Sequence, residues 1–161
     1  MSIGERPSLA ISSPEASVEI SLGELITNIA SCNIGKLSNI KLSANWVASS
    51  NDNNELNKLY YAVKKLTDLC KELDIAIPVG KDSLSMNSTW KTNKKNNIVK
   101  SPVSLVLSGF SNINNIEDIM TPEIIEHGRI FLIDISNGKN RLGGSAYYQT
   151  HKLFVLMSAF R

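Results

Sequence analysis

Glu24 and Asn28 stand four positions apart in the run Ser21-Leu22-Gly23-Glu24-Leu25-Ile26-Thr27-Asn28-Ile29. On a helix that spacing places both side chains on one face. A carboxylate and an amide oxygen one turn apart are hard oxygen donors, the kind Mg²⁺ takes while waters and substrate phosphates complete its shell. Gly23 beside them leaves room for a group to approach the backbone. On spacing alone, an ordinary exposed helix face is the commoner meaning of such a pair.

A second stretch with chemistry in it is Ile77-Pro78-Val79-Gly80-Lys81-Asp82-Ser83-Leu84-Ser85-Met86. Pro78 removes a backbone donor and Gly80 allows angles other residues avoid, so the chain is expected to turn there and offer N–H groups to an anion. Gly80, Lys81, Asp82 and Ser83 are therefore candidate contacts for a nucleotide or substrate phosphate. The familiar P-loop is excluded: Ile75 stands where that motif needs its first glycine, and Asp82 where it needs a hydroxyl. A polar exit from a strand is the plainer meaning of the stretch taken alone.

These residues need elements to hold them. Ser12, Pro14 and Glu15 form a helix-start signature, and Val18, Leu22, Leu25, Ile26 and Ile29 recur at helical spacing, so a helix is predicted from about 14 to 31. Residues 1–12 before it read as a turn-rich lead-in with a short strand near Leu9 to Ser12. Ile40 to Ala48 alternate as a strand with one buried face. Asp52 with Glu55 opens a second helix to about Asp74, with Leu56, Leu59, Tyr60, Val63, Leu66, Leu69, Cys70 and Leu73 as its apolar stripe. Ile75 to Val79 is predicted as a short buried strand, and the following segment to Lys100 as a long polar loop in which Trp90 is a packing anchor. Pro102 to Phe110 is a further strand. A linker over 111–128 carries a helical turn near Ile116 to Met120, and Arg129 to Ile135 begins a new strand. Leu142-Gly143-Gly144-Ser145 then leads into a helix, and 153–160 is apolar with no polar face.

Bulk composition narrows the function classes. The chain has 161 residues, 42% of them hydrophobic, with a net charge of +2, which fits a folded protein and leaves no electrostatic footprint for nucleic acid. The Lys91, Lys94 and Lys95 cluster reads as a solvated loop. Cys32 and Cys70 are too few and too far apart for a zinc or redox signature, and read as buried free thiols of a cytoplasmic protein. His127 and His151 lack partner motifs and read as surface residues. No apolar run reaches membrane-spanning length, so no membrane partner is expected.

The element order helix, strand, helix, strand, strand, followed by a strand and a helix start, predicts an α/β (α+β) fold: a split βαβ sheet lacking its first strand, then the opening of a second α/β unit. The expected divisions are 1–111, a linker at 112–128, and 129–161. Both ends look cut.

Several of these stretches occur together in a recognisable order: Met1-Ser2-Ile3-Gly4-Glu5-Arg6, Gly23-Glu24 with Thr27-Asn28-Ile29-Ala30, Lys41-Leu42-Ser43-Ala44-Asn45-Trp46, Ile77 to Met86, Ser101-Pro102 and Leu142-Gly143-Gly144-Ser145. Over residues 1 to about 148 the chain resembles the phosphoribosylformylglycinamidine synthase family in its large, single-chain form. The likeness is to the second of its two synthase halves. It implies the ferredoxin-like sheet of the aminoimidazole ribonucleotide synthetase-like N-terminal domain. It also implies a ligase of purine biosynthesis, using ATP and glutamine to convert formylglycinamide ribonucleotide to formylglycinamidine ribonucleotide. Glu24 and Asn28 match the family's helix motif that supplies Mg²⁺ ligands beside a bound nucleotide, ATP or ADP. The family's other ligands there are an aspartate on a preceding strand and one in an Asp-Arg-Ser-Asp-Gly-Gly motif, and neither occurs in this sequence.

The resemblance implies partners too: the remaining synthase segments and a glutaminase domain, whose Cys-His-Glu set this sequence does not carry. The expectation is a fragment, inactive alone, with weak or no nucleotide binding by itself. Two other readings stand beside it, a non-catalytic module that binds a partner through an open sheet edge and the apolar tail, and a degraded remnant with a marginal fold. An RNA-binding sheet is the remotest, because the strands lack paired aromatics for base stacking.

Overall fold

The computed structural model describes residues 1–93, 95–124, 126–139 and 145–151. Its first element was not expected. Ser2–Glu5 forms a strand, β1, and Pro7–Ala10 a short helix, α1, where the sequence suggested a lead-in with a strand near Leu9. β1 is too short to show period-two patterning by itself, and its identity comes from pairing with a distant strand.

The first long helix, α2, spans Pro14–Ile29. Its cap is Ser13, one residue later than the spacing suggested, with the Ser13 hydroxyl accepting from the Ala16 N–H and Pro14 in the first turn. Val18, Leu22, Leu25 and Ile29 are buried as predicted, joined by Ser17 and Ser21. After a 3₁₀ turn at Leu37–Asn39, β2 covers Lys41–Val47 and buries Leu42 and Ala44. The second long helix, α3, covers Asn53–Glu72, capped by Asp52, whose carboxylate accepts from the N–H groups of Asn54 and Glu55. Its buried line is Ala62, Leu66 and Cys70, with Leu59, Leu69 and Leu73 packed beside it, whereas Cys32, also expected to be buried, is only half-buried past the end of α2. Leu56, Tyr60 and Val63, expected in the stripe, face outward. The small Ala62 lets α3 lie close, so the contact line runs to one side of the bulkier residues.

β3 runs over Ala76–Ser83, so Gly80 to Ser83 belong to a strand and not to a turn. The register against β2 slips between Lys41 and Ser43, and Pro78 falls within that irregularity, where its missing N–H removes no ladder bond. The predicted long loop is a β-hairpin, β4 at Asn87–Thr92 and β5 at Lys95–Lys100, turning at Asn93 with φ of 48°. Trp90 in it is 49% exposed, which corrects its reading as a packing anchor, and Lys91 and Lys95 sit on strands. Lys94 lies outside the described residues. β6, Ser104–Phe110, returns through the middle of the sheet.

The main sheet has the order β1-β6-β2-β3. β6 is antiparallel to both β1 and β2, and β3 is parallel to β2. β1 and β2 therefore run the same way with β6 between them, joined through α2, which is a split βαβ unit; β2-α3-β3 is an ordinary one. This mixed α+β architecture agrees with the expected class, with a strand ahead of the first long helix where none was foreseen. Leu42, Ala44, Leu105 and Leu107 meet α2 and α3 in one core. At the roughly 25 cal/mol per Å² that apolar burial contributes, this two-layer core is the dominant stabilising term. Ser43, Asn45, Ser104, Val106 and Ser108 lie half-exposed on the opposite face.

Beyond β6 the described residues hold few regular elements. A 3₁₀ turn spans Ile116–Asp118, and Met120 N–H donates to the Ser31 carbonyl at 2.8 Å. The strand expected over 129–135 is not formed, and Leu132 is 94% exposed. A strand needs a neighbour for its backbone groups, and among the described residues none lies alongside. A short helix, α4, covers Ala146–Thr150. The 141–144 glycine pair and the apolar 153–160 segment lie outside the described residues.

Candidate functional site: the helix–strand edge at Glu24 and Asn28

β1 is an edge strand, so one row of its backbone groups finds no partner in the sheet. Two of those groups meet α2. Glu5 N–H donates to Glu24 Oε2 at 2.9 Å, and Asn28 Nδ2 donates to the Ile3 carbonyl at 3.0 Å. The residues singled out for metal chemistry thus share one exposed face, as the four-residue spacing required, and clip the strand's outer edge.

The rest of the Met1-to-Arg6 stretch is built for the same contact. Ser2 is buried and donates its hydroxyl to the Leu25 carbonyl at 3.0 Å. Ser17 Oγ donates to the Arg6 carbonyl at 2.7 Å. Gly4 has no side chain because α2 occupies its space: an added Cβ would lie 1.9 Å from the Ser21 carbonyl oxygen. Gly109, on the neighbouring strand, abuts Leu25 in the same way, at 2.7 Å from one of its methyls. In the sequence, residues 1–6 stood out only through the family resemblance; the roles of Ser2 and Gly4 depend on a helix that comes about twenty positions later.

These bonds fix what the two side chains present outward. Asn28 spends its amide nitrogen on Ile3, which leaves Oδ1 turned from the strand; Glu24 spends Oε2 and keeps Oε1. Neither of these two oxygens has a hydrogen-bond partner among the described residues. The donors are hard oxygens on a single open face, which suits Mg²⁺ in type and falls short of a full set in number. Among the described residues no group of three or more His, Cys, Asp or Glu is placed to hold a metal.

Gly80 to Ser83 lie elsewhere. β1 and β3 are opposite edges of the sheet, three strand spacings or about 14 Å apart. The two candidate regions are not brought into one site. Gly80 has no positive φ, an added Cβ there would meet nothing within 4 Å, and extended backbone makes no concave nest of N–H groups. Lys81 Nζ bonds the Ser83 hydroxyl, and the register places these two on the face opposite the helices, with Asp82 on the other. Two concavities of about 620 and 680 Å³ flank Lys41 and are lined by neither candidate region.

Composition and periodicity missed a polar cluster at the start of α3. Glu55 is 9% exposed, accepts from the buried Val103 N–H at 2.7 Å through Oε2, and pairs with Lys58 at 2.8 Å through Oε1. Lys58 also reaches the Ile11 carbonyl, and Asp52 pairs with Lys100 at 3.0 Å. Lys100 and the N–H groups of Glu55 and Asn54 hold the Asp52 carboxyl below its ordinary range. The arrangement ties α3 to β5 and β6 and so fixes the sheet on which β1 docks. Glu55 had been read as a helix-start residue only; its burial depends on where a strand 48 residues later enters.

The family model for the FGAR-AT PurM_N-like domain matches residues 1–112, the stretch that holds the four-stranded sheet, both long helices and the Glu24–Asn28 edge. That match covers well over half of the sequence, and the chain belongs to the FGAR-AT PurM_N-like domain family.

Proposed function

We propose that this chain supplies part of a Mg²⁺–nucleotide site in a formylglycinamide ribonucleotide amidotransferase of purine biosynthesis, with Glu24 and Asn28 as the metal's protein ligands. One observation carries the reading: Glu24 Oε2 and Asn28 Nδ2 are both anchored to β1, and Glu24 Oε1 and Asn28 Oδ1, one helical turn apart on an exposed face, have no hydrogen-bond partner among the described residues. Bound there, Mg²⁺ would screen the phosphates of ATP or ADP. Glu24 and Asn28 would orient it, and water and phosphate oxygens would complete six-fold coordination. The remaining ligands, the glutaminase that releases ammonia and the rest of the synthase come from other segments of the ligase. The phosphate contact proposed for Gly80, Lys81, Asp82 and Ser83 is separate and rests on the resemblance alone.

Two protein oxygens without companions hold Mg²⁺ poorly, because the ion loses water reluctantly. The chain by itself is therefore expected to make no formylglycinamidine ribonucleotide from glutamine, ATP and substrate; measurable product would refute the reading. Supplied with the other synthase and glutaminase segments, it should bind ADP in a Mg²⁺-dependent way that Glu24→Ala weakens at least about tenfold. Unchanged binding in that variant would remove the metal assignment.

A second reading, a partner-binding module, draws on the exposed Ile130 to Ile135 and the outer edge of β3. Sedimentation showing a monodisperse monomer at high concentration would contradict it. The remnant reading requires a broad, weakly cooperative melt, and a sharp reversible transition would exclude it.

A further inference from the structure

We propose that β1 is the positioning element of the cation site: the backbone N–H of Glu5 and carbonyl of Ile3 aim the two oxygen ligands, so that strand docking and cation binding are thermodynamically linked. The inference rests on the Mg²⁺ reading above and adds to it a part of the chain with no ligand atom of its own.

The argument begins with the freedom the two side chains would otherwise have. An exposed Glu and an exposed Asn on a helix sample several rotamers, and the Asn amide can present either its oxygen or its nitrogen. Here neither choice is open. The Ile3 carbonyl can only accept, so Asn28 must turn its NH₂ toward β1 and Oδ1 away from it. The Glu5 N–H can only donate, so one Glu24 oxygen is held at the strand and the other is presented. Both constraints come from adjacent outward-facing groups of one edge strand, and both vanish if that strand lifts. Hydrogen bonds that orient metal ligands commonly contribute 10- to 100-fold in affinity.

β1 is held by close packing and a small number of bonds. Gly4 permits close approach to α2, and Ser2 and Arg6 are tied by single hydrogen bonds to Leu25 and Ser17. The strand is four residues long and pairs on one side only, with β6. By linkage, a cation that binds better when β1 is docked must favour the docked state by the same factor.

The test uses the whole chain and Mn²⁺ alone, a paramagnetic, oxygen-preferring probe. Glu5→Pro deletes the one N–H that Glu24 accepts, on the edge where proline is tolerated. Gly4→Ala is the second variant and unseats the strand sterically. Expected are Mn²⁺ affinity at least about tenfold weaker in both variants, and in the unaltered chain slower exchange of the Glu5 amide as Mn²⁺ or Mg²⁺ is added. Unaltered Mn²⁺ affinity in Glu5→Pro, with faster exchange along β1, would overturn the positioning role and leave the metal reading standing. Failure of Mn²⁺, at concentrations high enough to populate a weak two-ligand site, to broaden the Asn28 side-chain resonances of the unaltered chain would overturn the metal reading, and this inference with it. Unchanged Glu5 exchange in Glu24→Ala without metal would show that the clip is absent in solution and would also overturn the inference.

Discussion

At the scale of single residues, carboxylates that look alike in sequence do different work. Glu24 is exposed and keeps one oxygen free, whereas Glu55 is buried and spends both, one on Lys58 and one on the N–H of Val103 just ahead of β6. Glu55→Ala leaves the buried Val103 N–H without an acceptor, and denaturant melts should show a loss of about 2 kcal/mol. Asp52 supplies a pH dependence. Its carboxyl is held below the ordinary value by Lys100 and the helix N–H groups, and Asp68 likewise by Lys64. A depressed carboxyl adds stability above its unfolded value and loses it as pH falls through the folded one, so melting temperature should fall below about pH 4. Asp52→Asn should flatten that acid limb. At the alkaline end the sign reverses: Lys64 and Lys65, raised by Asp68 and Glu19, add stability up to the ordinary lysine value, and it is lost as pH rises beyond it. Helix spacing made the shared face of Glu24 and Asn28 legible in advance. That one would donate and the other accept along the same strand was not, because the strand lies 19 to 25 positions away.

Among elements, the two long helices and β2 were legible because periodicity and start signals agreed, as at Asp52 and Glu55. β1 escaped because four residues cannot display a period, and its evidence is spatial: Gly4 against Ser21 and the ladder to β6. The hairpin β4–β5 escaped because its Asn- and Lys-rich residues are exposed on both faces, which removes the alternation a half-buried strand shows. Gly80 was misread for the converse reason, a glycine that merely sits in an edge strand. Two glycine substitutions separate these roles. Gly23→Ala meets open space on α2 and should raise stability by about 0.5–1 kcal/mol. Gly4→Ala drives a methyl into the Ser21 carbonyl and should destabilise by about 1–3 kcal/mol, with faster amide exchange in β1 before any change in α3. Equal effects of the two would contradict the close packing of β1 on α2.

For the whole molecule, the sheet order puts the β1 edge with Glu24 and Asn28, the proposed cation site, at one margin and Lys81 at the other, with the core between them. Under the proposed reading, any further ligands would have to reach the β1 edge from outside the sheet, because β1 has no strand on its outer side. Mn²⁺-ADP titrated into the chain to concentrations that populate a weak site, and followed by paramagnetic broadening across the backbone and side-chain amides, tests the assignment of the metal to Glu24 and Asn28 most directly. The Asn28 side-chain amide and the Gly23 and Glu24 backbone amides should fade first, and the same resonances should persist in Glu24→Gln. Fading that begins along Gly80 to Ser83, or that survives at Asn28 in Glu24→Gln, would contradict the assignment.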